Sequence, residues 1–186
     1  MALPRSHQNS FTPSEVEFIA SNEKIKIIPN RRFDRLDLIQ MPIDRFQPPL
    51  TTEVPVWLAV LMKKNNKCSI QCPDWLTVEN LSKKIEEEET EEEFSAVPFH
   101  YMELSQMLMN DAREDIPNAE QIQKLLQDLR ETRQVKARTG LKYLDDKWLG
   151  MNNLSLMEIN EIRPFFSRAF DEMRKLNSEG RTNRDN

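Results

Sequence analysis

The sequence predicts an α+β, mainly α protein: a small β-rich N-terminal domain with short helices over residues 1–72, an α-helical bundle domain over 73–176, and a disordered tail over 177–186. Three observations lead there. Before residue 73 the apolar residues alternate in short runs broken by proline, and after it they recur every three or four positions. The charge changes sign at the same place, with ten Lys/Arg against seven Asp/Glu in 1–72 and sixteen against twenty-four in 73–186. A chain of 186 residues, 38% hydrophobic and 31% charged, is also the right size and balance for one ordinary domain or two small ones.

The first elements are short. In FTPSEV, Thr12 can cap a helix, Pro13 suits its first turn, Glu15 completes a capping box and Phe11 can staple onto Val16. A helix is therefore predicted from Pro13 to about Ser21. KIKIIP puts Ile25 and Ile27 on one strand face, and RLDLIQ does the same with Leu36 and Leu38. With Pro29 and Asn30 as the turn between them, the two read as a strand pair or part of a small sheet. A proline-rich connection, MPIDRFQPPLTTEVP, leads into a helix from Val56 to Lys64 with Trp57, Leu58, Leu61 and Met62 on one face. KCSIQCP then supplies a brief edge strand that Pro73 ends.

From Asp74 onward the elements are helical. Val78, Leu81 and Ile85 make a short amphipathic helix that runs into seven glutamates within residues 86–93. Those charges repel one another and oppose the negative end of the helix dipole, which predicts a frayed, solvent-exposed acidic loop, with a functional acidic tag as the alternative. A second helix spans about Pro98 to Arg113 with Tyr101, Leu104, Leu108 and Ala112 inward. The third, capped by Asn118 with Gln121 in the capping-box position, carries Ile122, Leu125, Leu126 and Leu129. Continued to Leu144 it would be about 26 residues and ~40 Å long. The last opens at the capping box SLME, Ser155 to Glu158, and runs to about Leu176, with Pro164 expected to kink it.

Several chemistries find no support. The longest apolar run, Val54 to Met62, is nine residues with Pro55 inside it, short of the roughly 20 that span a bilayer. No membrane partner and no secretory leader are expected. Cys68 and Cys72 read as reduced, half-buried thiols. Zinc would need about four ligands, and His7 and His100 are the only histidines, so no metal is expected. The three glycines, Gly140, Gly150 and Gly180, cannot build a phosphate-cradling loop. Asp145 with Asp146, and Asp111 with Glu114 and Asp115, read as solvated surface. No catalytic residue and no cofactor are expected.

Contact is the better theme. Arg133 and Lys136 continue the Ile122, Leu125, Leu126, Leu129 stripe before Tyr143 and Leu144 resume it. Either the stripe emerges into solvent there, or the two cations meet something acidic, within the chain, with Glu158 and Glu161 as candidates, or on a partner. The last helix is apolar over a wide arc: Leu156, Ile159, Ile162, Phe166, Phe170 and Met173 form its main stripe, with Met157, Phe165 and Leu176 to the sides. A surface helix needs an apolar arc of only about 100°. The candidate partner interface is therefore Arg133, Lys136, Tyr143, Leu156, Ile159, Ile162, Phe165, Phe166, Phe170 and Trp57. A second reading, single-stranded nucleic acid on Lys24, Lys26, Arg31, Arg32 and Arg35, has only Phe33 as a stacking aromatic, where such platforms use several.

The ordered blocks SEVEFIASNEKIKIIPN, EVPVWLAVLMKKNNKC, CPDWL, DLRETRQVKARTGLKYL and NLSLMEINEIRPF resemble the Partner-of-Sld-Five-two subunit family of the eukaryotic GINS replication complex. The resemblance covers about Phe11 to Leu176 and leaves out the glutamate run and the tail. It implies a β-rich domain preceding a helical one, and a non-catalytic subunit of a heterotetramer with three sister GINS subunits. It further implies joining the MCM hexamer and a RecJ-like partner in the CMG helicase, in the nucleus, on chromatin at replication forks. ATP hydrolysis would then belong to MCM, and direct DNA contact by this chain would be weak.

Overall fold

The computed structural model describes residues 10–39, 42–43, 45–140 and 152–165. It is an α+β structure, mainly helical, with one small antiparallel sheet in its N-terminal part. Helix α1 is Pro13–Ala20, and its capping box forms as the sequence predicts: Thr12 Oγ1 accepts from Glu15 N–H, and Glu15 Oε2 accepts from Thr12 N–H at 2.8 Å. Strand β1, Lys24–Pro29, follows with alternating burial that seats Ile25 and Ile27 inward and leaves Lys24, Lys26 and Ile28 outward.

The pairing of β1 differs from expectation. It lies between β4, Thr52–Pro55, and β5, Cys68–Ile70, antiparallel to both. RLDLIQ does not pair with it. Instead β2, Leu36–Asp37, pairs with β3, Pro42–Ile43, and Phe33 bridges Phe46. These rungs share one register, so residues 33–37 run antiparallel to residues 42–43 and 45–46 as one ribbon. Prolines explain the misreading: Pro29 ends β1 at the point where a tight hairpin would need to begin, and the ribbon's return strand begins with Pro42, which sequence alone marks as loop.

Helix α2, Val56–Lys64, buries Val56, Leu58, Ala59 and Met62. Trp57 and Leu61, expected on that same face, are turned outward at 37% and 52% exposure. The helix ends in a Schellman motif, in which Asn66 takes φ 54° and the N–H groups of Asn66 and Lys67 donate to the carbonyls of Lys63 and Met62. β5 is an edge strand, as expected.

Helix α3, Val78–Thr90, corrects the acidic-loop expectation: it continues through Glu86–Thr90 and buries Glu88, and only from Glu91 is the backbone extended. Helix α4 is Tyr101–Asp111, a 3-10 turn covers Arg113–Asp115, and α5 is Ala119–Gly140. Residues 156–165 form α6. The expected continuations to Leu144 and Leu176, and the tail, lie outside the described residues.

One hydrophobic cluster runs through both halves, from Ile27, Phe46 and Val54 to Tyr101, Leu108, Ile122 and Leu129. Charged groups also cross between the halves. Asp115, which reads as solvated surface in the sequence, accepts from Lys63 Nζ at 2.8 Å and from Ile70 N–H at 2.7 Å, so the 3-10 turn is tied to α2 and β5 together. Its side chain is only 14% exposed, which makes this bond stronger than a surface pair of the same length.

Candidate partner-binding surface and its buried support

Among the described residues the largest fully buried side chain is Arg133, on α5, at 1% exposure. A guanidinium can be buried only with its donors satisfied, and here they are. Nε donates to Glu158 Oε1 at 2.7 Å, Nη2 to Glu158 Oε2 at 3.0 Å and to the Asn153 carbonyl at 2.7 Å, and Nη1 to the Ser95 carbonyl at 3.1 Å and to Glu88 Oε1. Glu158 thus receives the fork bidentately. Its other contacts fix it from behind: Ser155 N–H donates to Oε2 at 2.8 Å, closing the capping box read in SLME, and Tyr101 Oη donates to Oε1 at 3.1 Å. Glu88 also accepts from Ser95 N–H and Oγ and from Lys136 Nζ at 2.9 Å. Phe94 lies under both cations, 5.0 Å from Arg133 and 5.5 Å from Lys136.

The electrostatics follow from this geometry. Burial opposes the charge of Glu158, but the hydrogen bonds and charge of Arg133, helped by Ser155, hold its carboxyl below the usual carboxylate range. Burial likewise opposes the Arg133 charge, and the bonding and charge of Glu158, then Glu88, outweigh it and raise its pKa. The network joins α3, the 94–98 connection, α4, α5 and the start of α6. It fixes the corner from which α6 departs.

The two cations singled out in the sequence therefore do meet acids, and those acids belong to this chain. Arg133 is enclosed by intrachain groups, so it supports the surface without forming it. Of the two acids named from sequence, Glu158 is a partner and Glu161 is not: Glu161 binds Arg130 at 2.6 Å and Gln134 at 3.1 Å in solvent. Glu88, Phe94 and Ser95 were missed. Glu88 carried a signal, since Leu81, Ile85 and Glu88 recur at helical spacing on one face.

Of the other interface candidates, Leu156, Ile159 and Ile162 are half-buried on α6, and Phe165 is 54% exposed. Phe165 and Ile162 line a groove of about 360 Å³ between α5 and α6, with Gln134, Ala137, Arg138 and Leu154 on its other walls. Trp57 is exposed on α2, away from that groove. Tyr143, Phe166 and Phe170 lie outside the described residues.

Lys24, Lys26, Arg31, Arg32 and Arg35 are all exposed. Lys26 faces Glu53 across the sheet, and Arg35 is held by Asp37 at 2.8 Å. Phe33, the one aromatic available for stacking, is half-buried edge-on against Phe46 at 5.8 Å with Lys67 over its ring at 5.6 Å. Among the described residues no further aromatic joins it as a stacking platform. The Cys68 thiol is buried against the Ala59 carbonyl and pushed up to about 11 by burial, then by Asp115, so it is held as the unreactive thiol. Among the described residues no His, Cys, Asp and Glu group could hold a metal ion, and no helix is long and apolar enough to cross a membrane.

Comparison with known proteins places this architecture. Residues 12–71 match the PSF2 N-terminal domain, and residues 75–177 match the GINS complex protein helical bundle domain. The fission yeast Schizosaccharomyces pombe protein "DNA replication complex GINS protein psf2" is 43% identical over 95% of this chain and 96% of its own length. The PSF2 proteins of Xenopus laevis and Homo sapiens are 40% and 39% identical, each over 88% of this chain and 90% of their own. The chain belongs to the PSF2 family of GINS DNA replication complex proteins.

Proposed function

We propose that the chain is a non-catalytic structural subunit of a heterotetrameric GINS complex. It scaffolds the replicative helicase together with the MCM hexamer and a RecJ-like partner, in the nucleus, at replication forks. The observation that carries this is the identity of 34–43% to relatives named as GINS subunits over nearly the whole chain. The geometry agrees with a contact role. The buried Arg133 network stiffens the α5–α6 corner, and Phe165, Phe18 and Trp57 are left as exposed large apolar side chains on three helices. Surfaces of this kind serve protein contact.

Co-expression with the three sister subunits of the same organism, followed by native mass measurement, tests the reading. A particle with one copy of each subunit is expected. The chain emerging alone, with the other three assembling without it, would overturn it. Phe165→Glu should lower the yield of the particle while leaving the buried network intact.

A further inference from the structure

We propose that the groove between α4 and α5 over Glu103 is a socket for an arginine side chain of an adjoining subunit. This rests on the assembly reading and names one contact within it. Glu103, on α4, is 3% exposed and lines a groove of about 620 Å³ whose other walls come from α5 and the start of α6. Among the described residues no hydrogen-bond partner meets either of its carboxylate oxygens in good geometry, and its own N–H and that of Met157 relieve the charge only in part. The same helical unit buries two other glutamates, Glu88 and Glu158, and both meet Arg133. Glu103 is as deep as either and lacks such a partner among the described residues. A buried carboxylate without a counter-charge destabilises the chain that holds it, so this one is a site made for a cation from outside.

The surroundings sharpen the choice of cation. Glu158 adds its negative charge to the floor, and Glu131, on the α5 wall, accepts from the Gln127 amide at 3.1 Å. Arg130, on the same wall, is turned to Glu161 at 2.6 Å. Gln106, Asn110, Gln123 and Gln127 line the groove from exposed positions and offer amide carbonyls around it. A guanidinium can give two N–H groups to the carboxylate and keep others for those amides, a fork that a compact ammonium does not match. A bare metal ion would need several oxygen ligands, and among the described residues no His, Cys, Asp and Glu group is placed to hold one. Met102, Met109 and Met157, all half-buried, complete the lining. The carboxylate is closed from water as the groove stands. Methionine side chains turn easily, so the walls can open to admit a side chain and close around its stem.

The test compares the full chain and its purified assembly, each as parent and as Glu103→Gln. The variant should raise the urea midpoint of the chain alone and weaken its binding to the other three subunits about tenfold or more. Opposite signs are what an acid with a merely structural role would not give. Phenylglyoxal, which modifies free guanidinium groups, followed by peptide mass mapping, should find one sister-subunit arginine protected in the parent assembly and reactive in the Glu103→Gln assembly. A fall in both stability and binding would make Glu103 a structural acid holding α4 to α6, and would overturn the proposal. Weaker binding with no arginine whose protection depends on Glu103 would overturn it too, as would protection of an arginine of this chain, which would make the pair intrachain. Binding unchanged by Glu103→Gln, with the parent assembling, would overturn the socket and leave the assembly reading standing. A parent chain that binds none of the three would end both.

Discussion

The two ends of this molecule are closed by opposite means. The N-terminal sheet is sealed by Ile27, Val54, Val56 and Phe46, each at 1% exposure or less, while the far corner of the helical part is sealed by Arg133, Glu88 and Glu158. Apolar burial is additive and tolerant: removing a methyl group costs about 1 kcal/mol and leaves nothing uncompensated. A buried ion network is neither. Each charge is there only because the others are, so a loss at one position is felt at all of them.

The largest expected effect comes from the stretch that reads as a dispensable acidic loop. Replacing residues 86–93 with a Gly/Ser linker removes Glu88, takes from Lys136 its acid and from Arg133 one of its two, and takes the end of α3 out of helix. We expect a loss of about 4 kcal/mol or more, or failure to assemble. Restoring glutamate at position 88 alone, in a linker of alanines, should recover most of it. If the Gly/Ser chain unfolds in urea like the parent, the network does not close this end.

Next is Arg133→Met, which keeps volume but leaves Glu158 buried without a counter-charge and Glu88 with Lys136 alone, for about 3–5 kcal/mol. Adding Glu88→Gln and Glu158→Gln should return a large part of that loss. Recovery is the sharper half of this test, because a cavity would not be repaired by changing the acids.

Acid should separate Glu158 from its neighbour Glu103. The folded carboxyl of Glu158 lies below its ordinary 4.5, so the stability it contributes is present above 4.5 and is lost as pH falls through the folded value. Glu103, on α4, is 3% exposed, and no hydrogen-bond partner meets either of its oxygens in good geometry. Burial raises it, against partial relief from its own N–H and with the Glu158 charge adding to the rise. Its penalty is therefore present at neutral pH and disappears as pH falls through the raised value to 4.5. Urea unfolding from neutrality downward should find Glu158→Gln less stable and Glu103→Gln more stable than the parent. The Glu103→Gln difference closes first. Ile27→Val, on the apolar side, should cost about 0.5–1.5 kcal/mol at every one of these pH values.

This contrast also explains what was legible. What is legible is local: the Ile25/Ile27 alternation, the Thr12–Glu15 and Ser155–Glu158 boxes and the Ile122/Leu129 stripe can each be read from a few adjacent residues, and each is present in the structure. The network is nonlocal, since Arg133 lies 45 residues from Glu88. A glutamate at a core position looks like surface until its arginine is known. The ribbon was missed for a related reason, because Phe33 and Phe46 pair across a stretch in which Pro42 hides the return strand.

The smallest effect is the most discriminating. Arg130 and Glu161 bridge α5 and α6 at 2.6 Å, three residues before Arg133 on one helix and three after Glu158 on the other. Residue types, helices and distance are matched to the buried pair, and burial is what differs, with side chains 46% and 34% exposed against 1% and 7%. Water screens the outer pair, and side-chain entropy opposes holding it, so Arg130→Ala should change stability by less than about 1 kcal/mol and should lose even that in high salt. Nothing is stranded when it goes, because Glu161 returns to solvent and still has Gln134. A loss comparable to that of Arg133→Met, measured by urea unfolding in low and high salt, would mean that the α5–α6 contact depends on its ion pairs wherever they sit. The distinction drawn between the two ends of the molecule would then be one of position along the helices, with burial playing no part.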